Sequence, residues 1–281
     1  MQFEKTSKEL RGKLDFSAIL GITTIHALAL FAPWYFNWSG LFICIFFMWL
    51  SGWIGITLCY HRLLTHKSFA TPQWFAYMLT LFGTLAWQGG PIKWVGNHRL
   101  HHNHPDTDDD PHTPNHGLIW SHISWTLHKS PADVNPLLLA KDLARDRVIS
   151  LIDRFYWWPQ LLLAIMLFLS GLFIEDAKTG FVWIVWGIGV RTVVVYHGTW
   201  FVNSAAHTWG YQNFKTGDRS TNNWWVAIFS GGEGWHNNHH AKQRSARHGM
   251  RWFEIDPTYW TIRLLSLVGL AWDIIEPNKA M

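Results

Sequence analysis

The sequence predicts an all-α, polytopic integral membrane protein: four transmembrane helices under a cytoplasmic helical cap that holds a His-rich two-metal site. Three observations predict it. Only 15% of the residues are charged, against about 25% in an average soluble domain. The apolar residues gather in long runs instead of recurring at the helical period of a soluble core. And the 17 histidines crowd into a few short strings, most of which follow directly on an apolar run.

Taken in chain order, the polar and basic start, MQFEKTSKELRGKLDF, lacks the short apolar core and cleavage site of a signal peptide. The first apolar run, about residues 16–35, therefore reads as a retained span, and the second covers about 39–60. Only a few residues near Pro33–Trp38 separate them, so they form a hairpin. A shorter run at about 73–88 reads as a membrane-embedded or interfacial helix. The third and fourth spans, about 157–174 and 181–202, flank EDAKTG and form a second hairpin; Arg191 and His197 lie inside the fourth. Each span approaches the ~20 apolar residues a bilayer requires. Lys5, Lys8, Arg11 and Lys13 precede the first span, and most other Lys and Arg fall in 61–156 or after 203, whereas the two short turns hold only Lys178. That asymmetry places both termini and the cap (61–156 and 203–281) in the cytoplasm, all within a single domain, 1–281. It also accounts for the excess of basic residues without nucleic-acid binding. Cys44 and Cys59 sit in one apolar run and read as small buried hydrophobes, with no disulfide and no Cys-based zinc site.

Nine histidines fall in four strings on the cytoplasmic side: His61 and His66 in HRLLTH, His98, His101 and His102 in HRLHH, His207 in NSAAH, and His236, His239 and His240 in HNNHH. The spacing H-x-x-H-H puts three rings on one helical face. H-x-x-x-x-H is looser and fits the frayed end of a helix entering a loop. One ion takes about four to six ligands, so nine rings suit two ions. All-nitrogen ligation leaves iron, copper, nickel and zinc open. There is no His-Glu dipeptide for zinc hydrolysis, and the Glu-x-x-His pattern of soluble di-iron bundles occurs once, at Glu233 and His236. A His-only two-metal site at a membrane surface points to iron working on O₂ and a lipid. His26 and His197 read as structural; His104, His112, His116, His122, His128 and His248 read as supporting, surface or capping groups.

HRLLTH, HRLHH and HNNHH resemble the three histidine boxes of the membrane fatty-acyl desaturases, and NSAAH-x-x-G resembles the extra metal-binding segment of their Δ9 (stearoyl-CoA-type) branch. GIT before the first box, DPH at 110–112 and GEGWHNNHH belong to the same resemblance, which runs from about residue 40 to 245. LLTHKSF is closest in character to bacterial and cyanobacterial acyl-lipid members. The resemblance implies two iron ions on His61, His66, His98, His101, His102, His207, His236, His239 and His240, with Asn203 reaching one iron through a water. Zinc in their place would be inactive. It further implies a bent acyl tunnel with Gln88, Trp94, Thr199 and Trp200 at the bend and Trp49 and Trp53 at the floor. Trp53 replaces a small residue of the acyl-CoA enzymes, so the tunnel is expected to be short.

The implied activity is O₂-dependent insertion of a cis double bond, most simply Δ9, into a saturated acyl chain carried on a glycerolipid or thioester. An alkyl C–H bond offers no acid–base handle, so a metal must supply the reaction and the protein the geometry. The chain has neither a haem extension nor a Cys cluster, so electrons come from a soluble donor, ferredoxin ahead of cytochrome b5. Two other readings stand beside this one: a related di-iron hydroxylase, and a non-catalytic membrane metal or haem carrier, for which one or two axial histidines would suffice.

Overall fold

The computed structural model describes residues 13–130 and 139–277. Lys5, Lys8 and Arg11 of the basic N-terminus lie outside the described residues, as do cap residues 131–138. Among the described residues the chain is helical, and β-pairing is confined to isolated bridges. Helix α1 (Phe16–Ala29) starts on Asp15, whose side chain accepts from the amides of Ser17 and Ala18. Helix α2 (Trp38–Thr65) starts on Asn37, which caps Gly40. There follow α3 (Gln73–Thr84), α4 (Pro91–Asn103), α5 (Leu118–His122), α6 (Lys141–Arg145), α7 (Arg147–Arg154) and α8 (Trp158–Ile174). The last four are α9 (Ala177–His207), α10 (Trp224–Phe229), α11 (His236–Ala241) and α12 (Pro257–Leu267).

Among the described residues two helices, α2 and α9, are long and apolar enough to cross a membrane, and a third crossing exists if α7 and α8, bent by 61° at their junction, count as one. Helix α1 has 14 residues, about 21 Å at 1.5 Å per residue, short of a hydrocarbon core of ~30 Å. The run expected to span over 16–35 is thus helical only in its first part and turns after Ala29. Both long helices overshoot their expected limits because they continue past the apolar run and carry histidines on their own ends. Phe16, Leu20, Leu30, Phe42, Met166 and Phe173 are exposed around the helices, an apolar surface that suits lipid rather than water.

Glycines set the helix crossings. A Cβ on Gly55 of α2 would lie 2.5 Å from the Gly83 amide nitrogen of α3, and one on Gly171 of α8 would lie 2.5 Å from the Gly180 Cα of α9. Such close contact of small residues drives helix association in lipid, where hydrophobic burial contributes little. Helix α3 buries Phe75 and Leu79 against α2 and leaves Trp74 exposed, as a helix at a membrane surface would. Cys44 and Cys59 are buried and free. Gly55→Val is expected to cost about 1–3 kcal/mol through overpacking and to lower the melting temperature in detergent. Gly21→Ala, where a Cβ meets nothing within 4 Å, should leave it nearly unchanged.

Candidate metal centre

Four elements bring the histidine strings together. The end of α2 supplies His61 and His66; the His66 amide donates to the His61 carbonyl at 3.1 Å, five residues back. This wide turn continues the helix where a frayed end was expected, and it swings His66 onto the face of His61, which an ordinary α-turn would not do. Helix α4 presents His98, His101 and His102, and α9 ends in His207. Helix α11 presents His236, His239 and His240 on one face, while Asn237 and Asn238 tie down the other. Asn237 Oδ1 accepts from the amides of Asn213 (2.8 Å) and Phe214 (2.9 Å). Asn238 donates to the His248 carbonyl and to Glu254, both at 2.8 Å. The glycines before α11 are needed for close approach: Gly231 and Gly232 have φ of 67° and 111°, and a Cβ on Gly234 would lie 2.1 Å from the Ala227 nitrogen.

The rings form two groups. His61, His66, His98, His102 and His239 make one; His101, His207, His236 and His240 make the other, and in each the ligand atoms lie within 4.8 Å of one another. In the first group Nε2 atoms are separated by 3.1 Å (His61–His239), 2.9 Å (His239–His102), 3.0 Å (His102–His98) and 3.2 Å (His98–His66). In the second they are separated by 2.9 Å (His236–His207) and 3.2 Å (His101–His240).

Carboxylates stand behind the rings. His101 Nδ1 donates to Asp110 and His240 Nδ1 to Asp218, each at 2.8 Å. His207 Nδ1 lies 3.0 Å from Asp106, and His61 and His248 Nδ1 lie 2.8 and 2.9 Å from one oxygen of Glu233, at bent angles. Buried Arg62 holds Glu233 in turn (3.1 Å) and pairs with Asp256 (2.9 Å). Burial alone would raise these carboxyls. The hydrogen bond and charge of His240 outweigh it and hold Asp218 below the usual range, and His248, His61 and Arg62 do the same for Glu233.

This arrangement fixes the tautomers. A neutral imidazole has one N–H; where Nδ1 carries it to a carboxylate, the Nε2 lone pair points inward. Burial, and then the neighbouring rings, push His98, His102, His236 and His239 well below the ordinary imidazole range, so they are neutral at pH 7. Lone pairs then face one another at hydrogen-bond distance with too few protons to bridge them. A cation resolves the repulsion. Nitrogens about 2.1 Å from an ion and at right angles are about 3.0 Å apart, which matches the spacings above. The donor set therefore fits a metal.

Two cavities meet at the first group. One, of ≈ 170 Å³, is lined by Gln88, Trp94, His98, Thr199, Trp200 and Asn203, with Asp15 and Lys93 among its polar residues. The other, of ≈ 50 Å³, also contains Trp94, His98, Thr199 and Asn203 in its wall and reaches Met48 and Trp53. Between them Gln88 donates to Thr199 Oγ1 (2.9 Å) and accepts from Trp94 Nε1 (3.1 Å). Trp49 is not in either lining: 40% exposed, it leans on Phe46, one turn beyond the cavity's end. The sequence aims both tryptophans at a tunnel floor; of the two, only Trp53 lines a cavity.

That reading also passed over Arg62, Asp106 and Asp218, and it gave His248 only a general supporting role. Their signal was faint, since single charged residues in polar loops resemble surface groups until the fold buries them. His26, His197 and His122 form a separate row, with nitrogens 3.3 and 2.9 Å apart, ending on Ser204 Oγ at 2.9 Å.

The fatty acid desaturase family model matches residues 25–266. The chain is 48% identical over 255 residues to an sn-1 stearoyl-lipid 9-desaturase of Anabaena variabilis, covering 91% of each chain. It is 46% identical to an sn-2 palmitoyl-lipid 9-desaturase of Nostoc sp. (strain 36), covering 89% of this chain and 87% of that one. It is 41% identical to an icosanoyl-CoA 5-desaturase of Limnanthes douglasii, covering 95% and 74%. Asp218→Asn is expected to weaken metal binding by the four-His group about 10–100-fold and to spare the five-His group. A chelator titration followed by metal analysis checks this; equal loss from both groups would contradict it.

Proposed function

The chain belongs to the fatty acid desaturase family, and from that membership we propose that it inserts a cis Δ9 double bond into a saturated acyl chain carried on a membrane lipid. The observation that carries this reading is the shared wall: His98 belongs to the five-His group and lines both arms of a cavity, which share Trp94, Thr199 and Asn203 and have Gln88 at the edge of the larger arm. In this reading the nine histidines hold two irons, with Asn203 beside them. Iron there would supply, with O₂ and two electrons, the oxidising power to take hydrogen from an unactivated C–H bond, chemistry no side chain provides. The balance is two hydrogens from adjacent carbons, two electrons, two protons and O₂, giving one alkene and two waters.

The protein's part is geometry. The hydrogen-bonded Gln88 side chain joins α9 to α4 and makes the corner at which an acyl chain must bend, which favours the cis product. Trp94 stacks on His98, with ring centroids 5.2 Å apart, and keeps the corner against the metal ligands. Trp53 closes the far arm. Its indole fits because Gly231 has no Cβ, which would come within 2.8 Å of the ring, and its Nε1 donates to the Phe229 carbonyl at 3.3 Å. This wall is read as limiting the chain to about sixteen carbons, since steric exclusion discriminates more sharply than one methylene of affinity.

We read the described residues as one domain with four spans: α1 continued by the turns that follow it to about residue 35, α2, bent α7–α8, and α9, with the histidines and both ends on the cytoplasmic side. The Lys and Arg distribution supports that orientation. Electrons are proposed to come from a soluble acidic donor, ferredoxin rather than cytochrome b5, drawn to exposed basic residues such as Lys242 and Arg244 that follow α11.

Expression in a desaturase-deficient host, with double bonds located by lipid class, tests the proposal. Lipid-bound Δ9 products, two hydrogens lighter than their precursors, support it; hydroxylated products or label confined to acyl-CoA contradict it. Trp53→Ala should shift product toward longer chains, and an unchanged chain-length profile would remove the wall assignment. Donor-driven turnover should fall steeply as salt rises.

A further inference from the structure

The turn from α3 to α4 carries Gln88 and holds an unfavourable backbone. Trp87 has φ 55° and Gly89 has φ 95°; a bulky residue rarely adopts the left-handed region unless its surroundings over-determine it. Three side chains of α9 grip this turn. Arg191 is wholly buried, and none of the groups it donates to is a carboxylate. Its Nε donates to the Gly187 carbonyl at 2.9 Å, one Nη to the Leu85 carbonyl and to Ser51 Oγ (3.4 Å), and the other Nη to Gln160 Oε1 at 2.8 Å. Leu85 ends α3, so the guanidinium caps a helix C-terminus, where a cation is favoured. The Tyr196 hydroxyl donates to the Trp87 carbonyl at 2.9 Å. Thr199 accepts from Gln88 itself.

We propose that Arg191 and Tyr196 are positioning residues that set which carbon is desaturated, by fixing the main chain of residues 85–89 and through it Gln88. This rests on the reading of Gln88, Trp94 and Thr199 as the acyl bend. If regiochemistry is the distance from the anchored end of the chain to that bend, a turn free to move by the length of one methylene presents neighbouring carbons to the metals. Arg191 joins this turn to α2, α8 and α9 at once, so it refers the bend to the membrane helices rather than to the mobile acyl chain. Neither residue is needed for the hydrogen abstraction itself.

The test uses full-length protein in a desaturase-deficient host and reads the position of the double bond, not only its yield. Arg191→Met removes every donor at similar length. Tyr196→Phe removes one hydroxyl and keeps the ring stacked on Trp200, whose centroid lies 5.0 Å away; it carries the test if the arginine variant does not fold. Gln88→Ala is the reference. In both positioning variants, the share of product with its double bond one carbon away from the main site is expected to rise about fivefold, the scale of one lost hydrogen bond. An unchanged positional ratio in Tyr196→Phe and in any folded Arg191→Met protein, beside a broadened ratio in Gln88→Ala, overturns the inference and leaves the bend standing. An unchanged ratio in all three overturns the bend and the inference with it.

Discussion

Everything in this molecule turns on imidazole lone pairs that face each other. Nine rings drawn from four separate stretches of chain gather their Nε2 atoms about one polyhedron edge apart, and a protein without a cation at those points would hold lone-pair repulsions in a buried site. The carboxylates explain how so awkward an arrangement is kept. Asp106, Asp110, Asp218 and Glu233 take the Nδ1 protons or stand close to them, which leaves Nε2 free. Arg62 and Asp256 extend that support to the core of the cap. Burial that would be costly for isolated charges is offset because each carboxylate meets more than one donor.

The same constraint connects the proposed metal site to the proposed substrate path. His98 is both a member of the five-His group and a wall of the cavity, and Trp94 stacks on it while donating to Gln88. In the proposed reading, a displacement of the acyl corner is therefore also a displacement relative to His98, because Trp94 touches both. Helix α9 organises this side of the molecule: Arg191, Tyr196 and Thr199 grip the turn that carries Gln88, Asn203 lines both arms, and His207 ends the helix in the second group. In the proposed reading, specificity and chemistry share one helix, which would let a reaction with no polar handle on its substrate select one pair of carbons.

Much of this was legible in the sequence, and the reasons differ by level. The histidine strings were readable because H-x-x-H-H is a helical spacing and three rings within five residues have few other uses. The long apolar runs gave α2 and α9 for the same kind of reason. The limits of α1 were not legible: apolar composition continues through Phe31 and Pro33 after the helix has turned, since composition reports burial in lipid and not hydrogen bonding. The widened turn at His66 was not legible either, because nothing in HRLLTH distinguishes five-residue from four-residue pairing. Asp106, Asp218 and Arg62 were hidden by their own chemistry, which looks solvated until distant segments close over it. Trp49 shows the converse: a four-residue spacing from Trp53 says that two side chains share a face, not that the cavity beside that face extends far enough to meet both.

The most direct measurement is anomalous diffraction at the iron absorption edge from crystals of iron-loaded protein. Two iron peaks per chain are expected, one among His61, His66, His98, His102 and His239 and one among His101, His207, His236 and His240. A single peak, or iron bound elsewhere with those rings unligated, would contradict the account.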